Sequence, residues 1–572
     1  MTVNRFSPTA PLRLTLWRWR WGLSWLWGVL GMLLLASPGQ AADRLLVSFG
    51  LLERSIPITD LERFADTGEL TPQLRIYSQQ LQLSEEQLQQ IRQVLASRAN
   101  LSPVAVAQFL YTEQGVLLLE QIGRVVQTPV RQANVQALRG AIILAAADPD
   151  AGLSLLNVLD IYPAEAMRID LGGGLTIAQE VNRAILQSEV AFEQVRALAA
   201  QAAEANPVEF GALLQLVQDE RQYGVERISV VVPGVSNLVQ LYLPQAQPGR
   251  RGVPAQGFPL VVISHGLGGT SDSYTYLAEY LATGGIAVAT IEHVGSNDQQ
   301  LYALLAGRSD AVTQDEEFLR RPREVSLTLN TLSYLNSSDS PLKGQLNLDQ
   351  IGVVGQSFGG YTALALAGAT FDLEGLAANC PPSTISFNPS LLLQCQGARL
   401  GDPGTGLGDP RVKSIFIMNP IGSVLFGETG YGRIEVPVMI VGGTADTIAP
   451  AFPEQIMPFG WLTTPERQNL QYLLLIDQGT HFSTIGDVAL GDQPLPIPPQ
   501  IIGPRPELVW TYMQVLGLAY FKVTLAGDQR FQPALQAAFA AGLGNEVYPL
   551  SLITTLTPES PASEPPVPPA PP

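Results

Sequence analysis

The chain has 572 residues, 46% hydrophobic and 15% charged, which is enough for two or three domains with a large core. Its 51 acidic residues outnumber 33 basic ones, and the net charge of −18 argues against nucleic acid and against electrostatic docking on anionic lipid. With two cysteines and three histidines and no recurring ligand spacing, neither a metal site nor a cofactor is expected.

Arg5, Arg13, Arg18 and Arg20 precede an apolar run over 21–36, which ends in Ser37-Pro38-Gly39-Gln40-Ala41-Ala42. A basic region, an apolar region and a small-residue cleavage site read as a secretory signal peptide over 1–42, cut after Ala41 or Ala42. An uncleaved anchor is the alternative, against which the apolar run falls short of the ~20 residues a span needs. Cleavage takes the net charge from −18 to −22 and places the mature protein in the periplasm or outside the cell. Cys380 and Cys395 share one loop-rich stretch, and in an oxidising compartment they are expected to form a disulfide.

Residues 43–206 carry helical signals. Thr59-Asp60-Leu61-Glu62 and Ser84-Glu85-Glu86-Gln87 read as capping boxes, and Thr71-Pro72 and Ser102-Pro103 place proline at a first helical position. Asn134 is expected to cap an apolar helix over 135–147, and a long helix is expected over 176–204. Without a histidine, a cysteine or a carboxylate cluster, this region reads as an all-α N-terminal domain that packs on its neighbour or on an unknown partner.

From about Tyr223 the pattern changes to apolar strands alternating with helices, through about residue 530. Strands are expected at 227–232, 238–243, 260–263, 286–291, 351–354, 412–418, 436–441 and 472–476. Helices are expected at 274–283, 323–335 and 506–525. Such alternation implies a mainly parallel sheet covered on both faces. The irregular stretch 371–410 holds both cysteines and reads as a lid-like insertion, and the Pro-rich tail 557–572 reads as disordered.

Gly355-Gln356-Ser357-Phe358-Gly359 fits G-x-S-x-G between a strand and an alanine-rich helix. That is the setting in which a strained turn exposes a nucleophilic serine. Asp446 ends the strand-to-turn segment Val438–Asp446, and His481 is the one late histidine. The order Ser357, Asp446, His481 is that of the α/β-hydrolase triad, with Asp477 as the weaker competitor for the acid. His265-Gly266-Leu267-Gly268-Gly269 follows a strand in the first half of the sheet. The backbone N–H groups of Leu267 and Phe358 are therefore expected to form the oxyanion hole. His265 reads as a hydrogen-bonding structural residue, and His293 either lines the substrate pocket or is structural; both are carried as pocket candidates.

Ser264-His265-Gly266-Leu267-Gly268, Ile291-Glu292-His293 and the elbow together resemble the platelet-activating-factor acetylhydrolase branch of the α/β-hydrolases. The chain is also similar to dienelactone hydrolases, which use a cysteine nucleophile where this chain has serine. Phe49-Gly50-Leu51-Leu52-Glu53-Arg54-Ser55 and Ser102-Pro103-Val104 resemble the N-terminal domain of unknown function on exported cyanobacterial α/β-hydrolases. What the resemblance implies is a serine esterase acting on short-chain or lipid-like esters, although Gln356 stands where the acetylhydrolases commonly have histidine. A peptidase on the same fold and a non-catalytic envelope binding protein remain the alternative readings.

Overall fold

The structure is a computed structural model that describes residues 43–556 apart from 50–51, 81–82, 100, 129–131, 165, 381–387, 402–405, 463–470 and 487–501. The expected signal peptide and the Pro-rich tail lie outside the described residues. The chain divides into two compact units. One comprises residues up to Val106 together with Ile122–Gly174; the other comprises Ala107–Gln121 and everything from Leu175 onward.

The first unit is not all-α. It contains β1 (Arg44–Phe49), β2 (Leu52–Pro57), β3 (Arg98–Ala99), β4 (Val126–Gln127), β5 (Leu153–Ser154) and β6 (Ala166–Asp170). Four of these form a sheet in the order β2-β1-β6-β4, with β1 antiparallel to β2 and parallel to β6. The sheet and the helices share one core, in which Leu45 and Met167 join Leu61, Phe64 and Leu159. The helical expectation failed on short strands: β1 and β2 form a local hairpin that the strong helix caps nearby overshadowed, and β1 also pairs with β6 more than 100 positions away, a pairing that leaves no local signature. The caps fared better. The Ser84 hydroxyl accepts the Gln87 N–H while Gln87 accepts the Ser84 N–H, and Asn134 accepts the Ala137 N–H at the start of helix Val135–Ala147. Thr59, by contrast, lies inside its helix, which begins at Ile58 after Pro57.

The second unit is built on nine strands: β7 (Gly224–Val230), β8 (Val239–Gln245), β9 (Phe258–Ser264), β10 (Ala287–Ile291), β11 (Leu346–Gln356), β12 (Val412–Met418), β13 (Val438–Gly443), β14 (Gln471–Ile476) and β15 (Leu550–Ile553). Their order is β15-β14-β13-β12-β11-β9-β10-β8-β7. The six strands from β10 to β14 run parallel, and the two ends are antiparallel. Every residue of β9 is buried. Leu260 and Val262 enter the core on one face, and Val261 and Ile263 enter the other, which is why this strand reads as a continuous apolar run.

Two elements differ from expectation for identifiable reasons. The helix expected from Arg323 begins at Glu317 and runs through Pro322 to Ser337. Pro322 has no N–H to give the Phe318 carbonyl; the Tyr361 hydroxyl donates to that carbonyl instead, at 2.6 Å. The unit also continues past residue 530, through helix Ala537–Leu543 to β15, which closes the sheet edge beside β14.

Candidate active site

The strand order reverses between β9 and β11, and in open α/β sheets ligands bind beyond the carboxyl ends of the strands at such a point. Two of the expected segments emerge there: His265-Gly266-Leu267 after β9, and Ser357 after β11. Ser357 has φ 53° and ψ −115°, a region that side-chain-bearing residues rarely adopt. The turn closes only around glycine. A Cβ on Gly355 would sit 2.0 Å from the Gly359 carbonyl oxygen, and one on Gly359 would sit 2.0 Å from the Ser264 carbonyl oxygen. Helix Phe358–Leu366 starts immediately after the serine, so the Phe358 N–H is one of the donors that a helix N-terminus leaves unsatisfied.

His481 and Asp446 meet directly, with 2.7 Å between His481 Nδ1 and Asp446 Oδ2. Three further donors hold the carboxylate. Asn419 Nδ2 donates to Oδ2 at 2.6 Å, and the Ile448 and Ala449 N–H groups each donate to Oδ1 at 2.8 Å. A carboxylate so held fixes the imidazole with its proton on Nδ1 and leaves Nε2 free to accept. Asp477, the competing acid, is committed elsewhere, accepting from Arg196 at 2.7 Å and from the Thr444 hydroxyl at 3.0 Å. Gln356 Nε2 donates to the His481 carbonyl at 3.1 Å and ties the histidine loop to the elbow.

Ser357 and His481 open on one cavity of about 230 Å³. Its wall is mostly apolar and includes Leu267, Ile421, Ile448 and Phe482; Pro389, Ser390, Leu392 and Leu393 come from the insertion. Among the described residues no hydrogen bond joins the Ser357 hydroxyl to His481, a contact that in ligand-free sites commonly closes only around substrate. Cys380 and Cys395 are joined by a disulfide that brackets part of the insertion.

The structure corrects the pocket assignment of the other two histidines. His265 and His293 are 1% and 0% exposed and are absent from the cavity wall. They form a buried network beneath the loop after β9. The His293 N–H donates to His265 Nε2 at 3.0 Å, so the His265 proton sits on Nδ1, 2.6 Å from the Gly266 carbonyl. His293 lies 2.6 Å from Glu324 through Nδ1 and 2.9 Å from the Ser264 hydroxyl through Nε2. Arg321 is fully buried; it donates to the His265 carbonyl at 2.7 Å and to the Ser296 hydroxyl at 2.9 Å. Its guanidinium also lies 4.3 Å from the centre of the Phe358 ring. One buried cation therefore touches both the loop after β9 and the first residue of the elbow helix.

Burial drives this network's protonation. Desolvation, aided by Arg321, holds both imidazoles well below their ordinary pKa, and desolvation pushes Glu324 up to about 7. Below pH 6.5 the unfolded chain protonates two imidazoles that the folded chain keeps neutral, so acidification destabilises the fold. Glu324 works the other way, because between about 4.5 and 7 the folded state holds a proton that the unfolded state has lost. Two imidazoles against one carboxyl leave a net loss of stability as the pH falls below about 6.5. Urea unfolding below about pH 6.5 should show this loss, and His293→Gln should make the pH dependence shallower; equal slopes in the two proteins would sink the assignment.

The comparisons with known proteins fit this geometry. Residues 41–170 match a family described as "alpha/beta hydrolase of unknown function". The chain has the α/β-hydrolase fold. Within the hydrolase sheet, residues 238–327 match the family "platelet-activating factor acetylhydrolase, isoform II", a stretch that includes the loop after β9 and both buried histidines. The platelet-activating factor acetylhydrolase of the dog, Canis lupus familiaris, is 30% identical across 19% of this chain and 31% of its own length. The chain is thus acetylhydrolase-like, although the match spans less than a third of that relative.

Several residues of the site escaped sequence reading. Asn419 follows β12 with φ 45° and reaches Asp446 across the sheet end; no motif marks it. Phe109 and Gln114 line the cavity although they precede the hydrolase fold by more than 100 residues.

Proposed function

We propose that this α/β-hydrolase is an exported serine carboxylic-ester hydrolase that works through an acyl-enzyme on short-chain or lipid-like esters. The observation that carries this reading is the convergence of Ser357 and the Asp446-held His481 on one small, mostly apolar cavity. In the reaction, His481 Nε2 takes the Ser357 hydroxyl proton as Oγ attacks the ester carbonyl carbon. The negative charge that builds on the carbonyl oxygen falls to the N–H groups of Leu267 and Phe358. Collapse breaks the bond to the alcohol oxygen, which receives the proton from His481. Water then attacks the acyl-enzyme, giving its proton to the same nitrogen, and the acid leaves as Ser357 recovers its hydrogen.

A cavity of about 230 Å³ sits below the usual range of small-molecule pockets, which supports short acyl groups over long chains. The disulfide and the leader-like N-terminus support export. The test is hydrolysis of p-nitrophenyl esters of graded acyl length, together with labelling by a fluorophosphonate probe. Activity peaking at two to four carbons, with the probe attached to Ser357, is the expected result. No turnover at any length and no labelling would end the enzyme reading.

A further inference from the structure

The chain makes an excursion that its topology does not require. It leaves the first compact unit at Val106, contributes Ala107–Gln121 to the hydrolase unit, and returns at Ile122. Two residues of that excursion, Phe109 and Gln114, form part of the wall of the cavity that holds Ser357 and His481. The turn that carries them is tightly built. Thr112 is buried; its hydroxyl donates to the Phe109 carbonyl at 2.6 Å and accepts the Gly115 N–H at 3.1 Å. A Cβ on Gly115 would lie 2.1 Å from the Phe109 carbonyl oxygen, so only glycine lets the chain reverse here and hold Gln114 in place.

Gln114 is the anomaly in that wall. It is 6% exposed, and its Oε1 is buried with no hydrogen-bond partner. Buried side-chain amides in folded proteins nearly always find partners, and an orphaned one beside a substrate cavity calls for a ligand group to complete it. The same wall carries Gln356, Ser357, Ser390 and His481, yet none of them donates to this oxygen.

We propose that Ala107–Gln121 is the specificity wall of this hydrolase, and that Gln114 Oε1 accepts a hydrogen bond from a hydroxyl or amide N–H carried on the acyl part of the substrate. The inference rests on the serine-esterase reading above. The acyl part is assigned because it stays bound to Ser357 after the alcohol leaves, so the enclosed space must hold it through both half-reactions. A plain alkyl acyl group would leave that oxygen unpaired. A site built to hydrogen-bond its substrate discriminates strongly against an analogue that lacks the group.

The test uses naphthyl esters of butyrate, 2-hydroxybutyrate, 3-hydroxybutyrate and N-acetylglycine with the full mature chain. At least one donor-bearing acyl group should exceed butyrate in kcat/KM by roughly tenfold or more. In Gln114→Leu that ratio should fall to about one; Gln114→Met serves if the leucine variant folds poorly. Butyrate matching or beating every donor-bearing acyl group in the wild type would overturn the proposal, as would a preference that survives in the variant. Fluorophosphonate labelling separates the two levels. Labelled Ser357 without acyl discrimination sinks this inference alone, whereas an unlabelled and inactive protein sinks the esterase reading and this one with it.

Discussion

Ser357→Ala is expected to lower kcat on short esters by about 10⁵- to 10⁶-fold, the scale on which loss of the nucleophile acts in serine hydrolases. The fold should hardly notice. The Ser357 side chain has no hydrogen-bond partner among the described residues, whereas its backbone is firmly held: its N–H donates to the Met418 carbonyl at 3.0 Å and its carbonyl accepts the Tyr361 N–H at 3.1 Å. Alanine keeps those bonds and also keeps the strained φ of 53°. Ser357→Gly should go further and unfold at higher denaturant, because glycine tolerates that backbone. Relief of about 1–3 kcal/mol of strain, less about 0.5–1 kcal/mol of extra chain entropy, leaves a gain of about 1 kcal/mol. Activity lost with stability unchanged in alanine and raised in glycine would identify the elbow as strain held for chemistry. Residual hydrolysis within tenfold of wild type in either variant would assign the nucleophile elsewhere.

How much of this could be read from the sequence depends on where each signal sits along the chain. The parallel sheet was legible because β9 to β14 are apolar runs punctuated by helices, and each strand declares itself locally. Ser357, Asp446 and His481 came into view because the fold presents its working residues where strands end, so chain order alone ranked them. The partners of those residues were not legible. Asn419 and Arg321 act through contacts 27 and 56 positions away in sequence, and no spacing rule connects such pairs. The two early histidines were placed at the pocket from their position after strands, but burial decided otherwise, and burial at that depth is a tertiary property. In the first unit, strong helix caps outweighed short strands, the local β1–β2 hairpin included, and the distant β1–β6 pairing carries no local mark, so the sheet there went unread.

The insertion is the other place where sequence said little and one buried group decides much. Glu454 is fully buried, and its carboxylate gathers six donors. Oε1 accepts from Asn388 Nδ2 at 2.5 Å, the Ser390 hydroxyl at 3.0 Å, Gln394 Nε2 at 2.8 Å and the Ser423 hydroxyl at 2.6 Å. Oε2 accepts the Gly422 and Ser423 N–H groups at 3.0 and 3.1 Å. Gln394 completes the arrangement, its Oε1 accepting the Val424 and Leu425 N–H groups at 3.0 Å each. The four donors at the start of helix Ser423–Tyr431 are thus satisfied by two side chains, and the negative one sits where the helix dipole favours it. Asn388, Ser390 and Gln394 belong to the insertion, so this carboxylate ties the segment that supplies Pro389, Leu392 and Leu393 to the cavity. Glu454→Gln keeps the shape but turns an NH₂ toward donors whichever way the amide faces, leaving at least two of them orphaned. The expected cost is about 3 kcal/mol or more, since each unpaired buried group loses about 1–3 kcal/mol. The damage should be concentrated at 388–394. Hydrogen exchange there should quicken well beyond the change in the β9–β14 sheet, and KM for short esters should rise more than kcat falls. Unchanged protection of 388–394 in the glutamine variant would show that apolar packing, and not this carboxylate, holds the insertion over the cavity.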